Sequence, residues 1–93
     1  DGRRARALGA DFTGADLSGA NMTGADLSRA IFTGATLIET DLRRTKLFRA
    51  NLRETDLTGA KLDGADLLGA DLSGATWTDG ATVCREGSIG ICE

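Results

Sequence analysis

The sequence predicts a solenoid: a narrow coil whose chain bends once every five residues. Three observations carry this reading. A large apolar residue recurs with a period of five from Phe12 to Trp77. Alanine or threonine stands two places before each of them. Glycine closes eight of the fourteen five-residue units that run without a gap from Ala10 to Asp79. Internal repetition of this kind outranks any local propensity, because it defines the architecture.

No ordinary element accommodates the period. On a helix, residues five apart scatter around the surface, since five residues turn through about 500° at 3.6 per turn. On a straight strand they alternate between faces. A chain bent every five residues points one large side chain inward from each short side. The third position of the unit supplies it: Phe12, Leu17, Met22, Leu27, Phe32, Leu37, Leu42, Leu47, Leu52, Leu57, Leu62, Leu67, Leu72 and Trp77. The first position is alanine in eleven units and threonine at Thr40, Thr45 and Thr55, because a narrow interior leaves little room beside the large residue. Glycine at the fifth position suits a bend that needs unusual backbone angles. The second position, mostly aspartate or asparagine, and the fourth, mostly threonine or serine, are expected to face water.

The ends of the repeat come next. Ala5 to Gly9 keeps the frame with Ala7 in the central place, so residues 1–9 read as an amino-terminal cap or a degenerate repeat. After Asp79 the frame slips by one residue at Gly80. Residues 80–93 are expected to fold back over the last coil as a cap, with Ile89 and Ile91 as its apolar lid. Trp77 is expected to plug the open end.

The motif Ala-(Asp/Asn)-Leu-x-x, repeated from Ala10 to Asp79, resembles the pentapeptide-repeat family over about three quarters of the chain. The resemblance implies an all-β fold, a right-handed quadrilateral β-helix with four units per coil, and here about 3.5–4 coils. The rod would stand roughly 17 Å tall at the usual strand spacing. Twenty residues per coil sort the central side chains onto four faces. Face one takes Phe12, Phe32, Leu52 and Leu72, and face two Leu17, Leu37, Leu57 and Trp77. Face three takes Met22, Leu42 and Leu62, and face four Leu27, Leu47 and Leu67. Phe12 and Phe32 are then expected to stack.

Cys84 and Cys92 are the only cysteines, and Gly87 and Gly90 make a return turn between them easy. A disulfide there is geometrically feasible and would pin the terminal segment. It would place the protein outside a reducing cytosol, in a periplasm or thylakoid lumen. The alternative is two buried thiols in a cytoplasmic protein. Two cysteines without histidine make a poor structural zinc site, which takes four ligands.

Composition narrows the function. The chain has no histidine, which removes the commonest general base and metal ligand. Its net charge of −3 argues against a nucleic-acid partner. No apolar run approaches the roughly 18 residues that span a bilayer. The aspartate column lacks the glycine-rich nonapeptide of calcium-binding β-helices, and a convex rod offers no cleft for paired carboxylates. No enzyme, cofactor or metal is therefore expected.

The units that break the pattern carry the candidate interaction surface. Arg43, Arg44, Lys46, Arg49 and Arg53 fall within one coil. Arg29 and Arg49 lie twenty apart and should stack at one corner, where they repel unless an acid or a bound anion intervenes. Glu39 and Glu54 are the nearby acids. Ile38, Phe48 and Leu68 occupy the fourth position, and Phe48 and Leu68 should form a stripe on face four. These features favour a non-enzymatic structural or protein-interaction module, expected to be a monomer, with an unidentified protein as partner. The family resemblance supplies an alternative, a DNA mimic that binds gyrase and protects it from quinolones. The basic coil from Arg43 to Arg53 and the shortness of the rod count against it.

Overall fold

In the computed structural model the described residues are 6–93; residues 1–5, including most of the expected amino-terminal cap, lie outside them. The described residues contain no helix. They form an all-β solenoid in which parallel bridges join positions twenty apart, from Arg6 with Asp26 to Asp56 with Thr76. Each second-position residue is the bridge residue of its side. Its amide donates to the coil before it and the amide of its neighbour to the coil after, as in Lys46 to Ala25 at 2.9 Å and Leu47 to Asp66 at 2.8 Å.

Each bend is a tight turn. The amide after the fifth position donates back to the third-position carbonyl, as in Ala15 to Phe12 at 2.9 Å. The fifth residue is left-handed, with Gly14 at φ 70°. A positive φ at the third residue of a closed turn defines type II, which glycine enters without a Cβ penalty. Five units hold a charged residue there instead: Arg29, Glu39, Arg44, Arg49 and Glu54, at φ 56–61°. Each bears a steric cost of roughly 1–2 kcal/mol. At Asp79 the beat stops. Gly80, not Asp79, is left-handed, and its amide closes the turn onto Trp77.

The core follows the third-position column. Leu27, Phe32, Leu37, Leu42, Leu47, Leu52 and Leu57 are all buried, with the small first-position residues beside them. Phe12 stacks on Phe32 with ring centroids 5.0 Å apart. The buried hydroxyls of Thr45 and Thr55 donate to the turn carbonyls of Leu42 and Leu52, while Thr40 donates to Leu17 one coil away. No buried side-chain polar atom among the described residues lacks a partner.

Residues 80–93 return antiparallel across faces one and two, pairing Thr76 with Val83 and Asp71 with Ile89. This corrects the expected lid. Ile89 and Ile91 are 51% and 62% exposed, whereas Cys84 and Ser88 are buried. Opposed residues of a bridge point the same way. Asp71 faces out, so Ile89 must too, and Ser88 turns inward. Trp77 is only half-buried against the core.

Candidate interaction face

The second-position aspartates turn out to be working parts of the bends. Their Oδ1 atoms accept from the backbone amide two residues on, as from Thr13 to Asp11 at 2.9 Å and from Ser73 to Asp71 at 3.0 Å. The hydroxyls of Thr13 and Ser73 donate to the same oxygens. Side-chain and backbone donation from Thr13 lowers the pKa of Asp11, and Thr58 does the same for Asp56. Hydrogen bonding from the Arg43 side chain takes Asp41 to about 2. Asp79 also falls to about 2, chiefly through the Thr82 hydroxyl. Among the described residues no group of acidic residues and cysteines is arranged to hold a metal ion.

Much of the basic coil is neutralised locally. Arg43, on face three, grips Asp41 through two bonds of 2.9 and 2.7 Å. Arg53, on face one, bridges Asp71 at 3.0 Å and Glu86 at 2.9 Å, tying the terminal segment to the coil. Lys46 sits between Asp26 and Asp66 in a face-four column that reads Arg6, Asp26, Lys46, Asp66. Ile38 lies half-buried on face two, opposite face four, so it does not join the stripe.

Face four and its corner keep the rest. The fourth-position column there is Leu8, Ser28, Phe48 and Leu68, and the fifth-position corner beside it is Gly9, Arg29, Arg49 and Gly69. Leu8 and Leu68 are 54% and 66% exposed. The Arg49 guanidinium lies 5.2 Å from the Phe48 ring centre, a cation–π contact. No carboxylate among the described residues bridges Arg29 or Arg49. Glu39 and Glu54 serve other corners, where their side chains lean over Gly59 and Gly74. Arg44 stands at the corner between faces three and four and leans over Gly64.

Small Ser28 between Leu8 and Phe48 leaves a dip, a groove of about 510 Å³ lined by Leu8, Gly9, Ser28, Arg29 and Phe48. Sequence reasoning reached Phe48 and Arg29 but missed Leu8 and Ser28. By its frame Leu8 reads with the terminal cap, although it stands forty residues before Phe48, two coils away. At the carboxy end, Cys84 and Cys92 form the disulfide, with Cα atoms 4.9 Å apart.

The repeat, its twenty-residue register and its turn chemistry define a class, the β-helical solenoids. Within that class the family described as pentapeptide repeats (8 copies) matches residues 10–49 and 41–76, and the chain belongs to that family. It is similar in structure to Rfr23, a pentapeptide repeat protein of Cyanothece 51142, at 44% identity and TM-score 0.53 over 70% of this chain and 48% of that one. It also resembles alr5209, a pentapeptide repeat protein of Nostoc PCC 7120, at 36% identity and TM-score 0.59 over 81% of this chain and 62% of that one. QnrB1, a plasmid-mediated fluoroquinolone resistance protein, matches at 24% identity and TM-score 0.54 over 89% of this chain and 59% of that one, a likeness of fold alone. The chain thus spans about half to three fifths of the length of these proteins. No curated protein matches it.

Proposed function

We propose that this chain is a non-enzymatic interaction module that meets a protein partner through face four. One observation carries the reading. Leu8, Phe48 and Leu68 place apolar groups at outward fourth positions on the face whose corner stacks Arg29 on Arg49. Elsewhere that position mostly holds threonine or serine, or a charged side chain. Residues 80–93 serve as a cap pinned by the Cys84–Cys92 disulfide, which favours an oxidising, extracytoplasmic compartment.

A photo-crosslinking residue at Ser28 tests the face, with one at Ser18 on face two as control. Adducts with one protein from position 28 and none from position 18 are expected in the native host. Adducts from both positions, or from neither, would sink the proposal. The gyrase-binding alternative has the QnrB1 fold likeness behind it and no surface feature of its own, because aspartates here are spent on bends and paired with arginines. A supercoiling assay with quinolone decides it: protection of gyrase would replace the face-four reading.

A further inference from the structure

Three costs coincide at one corner. Arg29 and Arg49 both adopt left-handed backbone that glycine would occupy freely. They are like charges stacked at adjacent coils, an arrangement that is destabilising on its own. Arg29 is also the one charged corner residue with no glycine above it. Glu39, Arg44, Arg49 and Glu54 lean over Gly59, Gly64, Gly69 and Gly74, whereas the corner position one coil on from Arg29 is Arg49. The apolar groove of about 510 Å³ opens at this same corner.

Resting on the reading of face four as the contact surface, we propose that this groove binds an acidic peptide segment of a partner protein. A large apolar side chain of the segment fills the dip over Ser28, between Leu8 and Phe48. Carboxylates flanking that side chain accept from the guanidinium groups of Arg29 and Arg49, whose backbones stand about one strand spacing apart, roughly 4.8 Å. Arginine forks suit carboxylates, and a groove of this size matches one anchoring side chain with its backbone. The rest of the face selects against longer polyanions. Asp26 and Asp66 bracket Lys46 along it, so a nucleic-acid backbone or an anionic membrane would meet carboxylates as it left the corner.

The test leaves the fold secure, because each substitution restores the usual residue of the repeat. Arg29→Gly with Arg49→Gly removes the charges and the strain together; Phe48→Ser removes the wall of the groove. The isotope-labelled full chain is titrated with a blocked peptide carrying Asp-Phe-Glu between glycines, and amide shifts are followed. Shifts are expected at Gly9, Ser28, Arg29 and Arg49 and not at Glu39, with a dissociation constant of about 0.1–1 mM. The double glycine variant should bind about tenfold more weakly, the loss of two partly exposed charge contacts.

Equal binding of a Lys-Phe-Lys peptide, an unchanged constant in the double variant, or no shift at about 5 mM peptide would overturn the proposal. Duplex DNA shifting the same amides at physiological salt would replace the peptide with nucleic acid. Shifts that grow with protein concentration alone would replace it with a second copy of the chain. Crosslinks from position 28 with no peptide binding would leave the contact face standing and remove only the acidic chemistry.

Discussion

The middle of the rod and its carboxy-terminal end are built from the same five-residue unit, yet they hold it differently. Leu42 and Leu47 are sealed beneath the following coil, and their amides donate to Lys61 and Asp66. Leu62 and Leu67, one coil later on the same faces, are half-buried. Residues 80–93 pair with faces one and two, and Gly90 reaches the corner beside the Leu67 carbonyl. Among the described residues the amides of Leu62, Gly64, Leu67 and Gly69 make no backbone hydrogen bond. In a solenoid a side chain is buried by its neighbouring coil. A leucine's contribution is therefore set by what comes twenty residues later, and not by its own unit.

Truncation breaks the comparison most sharply. Leu47→Ala should cost about 3–4 kcal/mol, since the cavity cannot collapse between two stacked coils. Leu62→Ala should cost roughly half as much. Thermal melts followed by circular dichroism measure both, and equal losses would show that the open end is covered in solution. The disulfide comes next. It closes a short loop, so reduction or Cys92→Ser should remove about 2 kcal/mol, near the low end for such links. Non-reducing thiol titration checks the bond first, with no free thiol expected. Hydrogen exchange then locates the loss, which should fall on the amides of Leu72, Gly74 and Trp77 that the terminal segment receives. Uniform deprotection of the rod would show that the segment holds more than its own end.

Smaller effects separate the corners. Gly69→Ala places a Cβ 3.0 Å from Arg49 Cγ in left-handed backbone and should destabilise by about 1–2 kcal/mol. Arg49→Gly, at the same corner one coil earlier, should stabilise by about 0.5–1 kcal/mol, the relief of strain less the added freedom of the unfolded chain. Chemical denaturation of the two variants is the measurement, and shifts of the same sign would refute the account. Acid gives the gentlest contrast. The lowered aspartates add stability that is fully present above the unfolded carboxylate range near pH 4. That contribution falls away as pH drops toward the folded values of about 2 at Asp41 and Asp79. Melting temperature should be flat from pH 7 to about 5 and decline below about 4. Asp79→Asn should blunt the decline at the terminal segment more than in the middle coils.

Much of the molecule was legible in its residues alone. The five-residue period sets which side chains point inward, because a chain that bends at every fifth residue has one inward central position per side. The same period set Phe12 on Phe32 and Arg29 in register with Arg49, and the glycines between the two cysteines marked the disulfide. Only the tertiary structure decided what lies across the coils or beyond the repeat. It turned Ile89 and Ile91 outward through an antiparallel pairing that no local pattern announces. Contacts between distant residues neutralised Arg53 through Glu86, thirty-three positions later, and made a groove from Leu8, Ser28 and Phe48 in three coils. Such partners are chosen by where the chain returns in space, and a sequence without periodicity, such as residues 80–93, does not encode that return in any short-range signal.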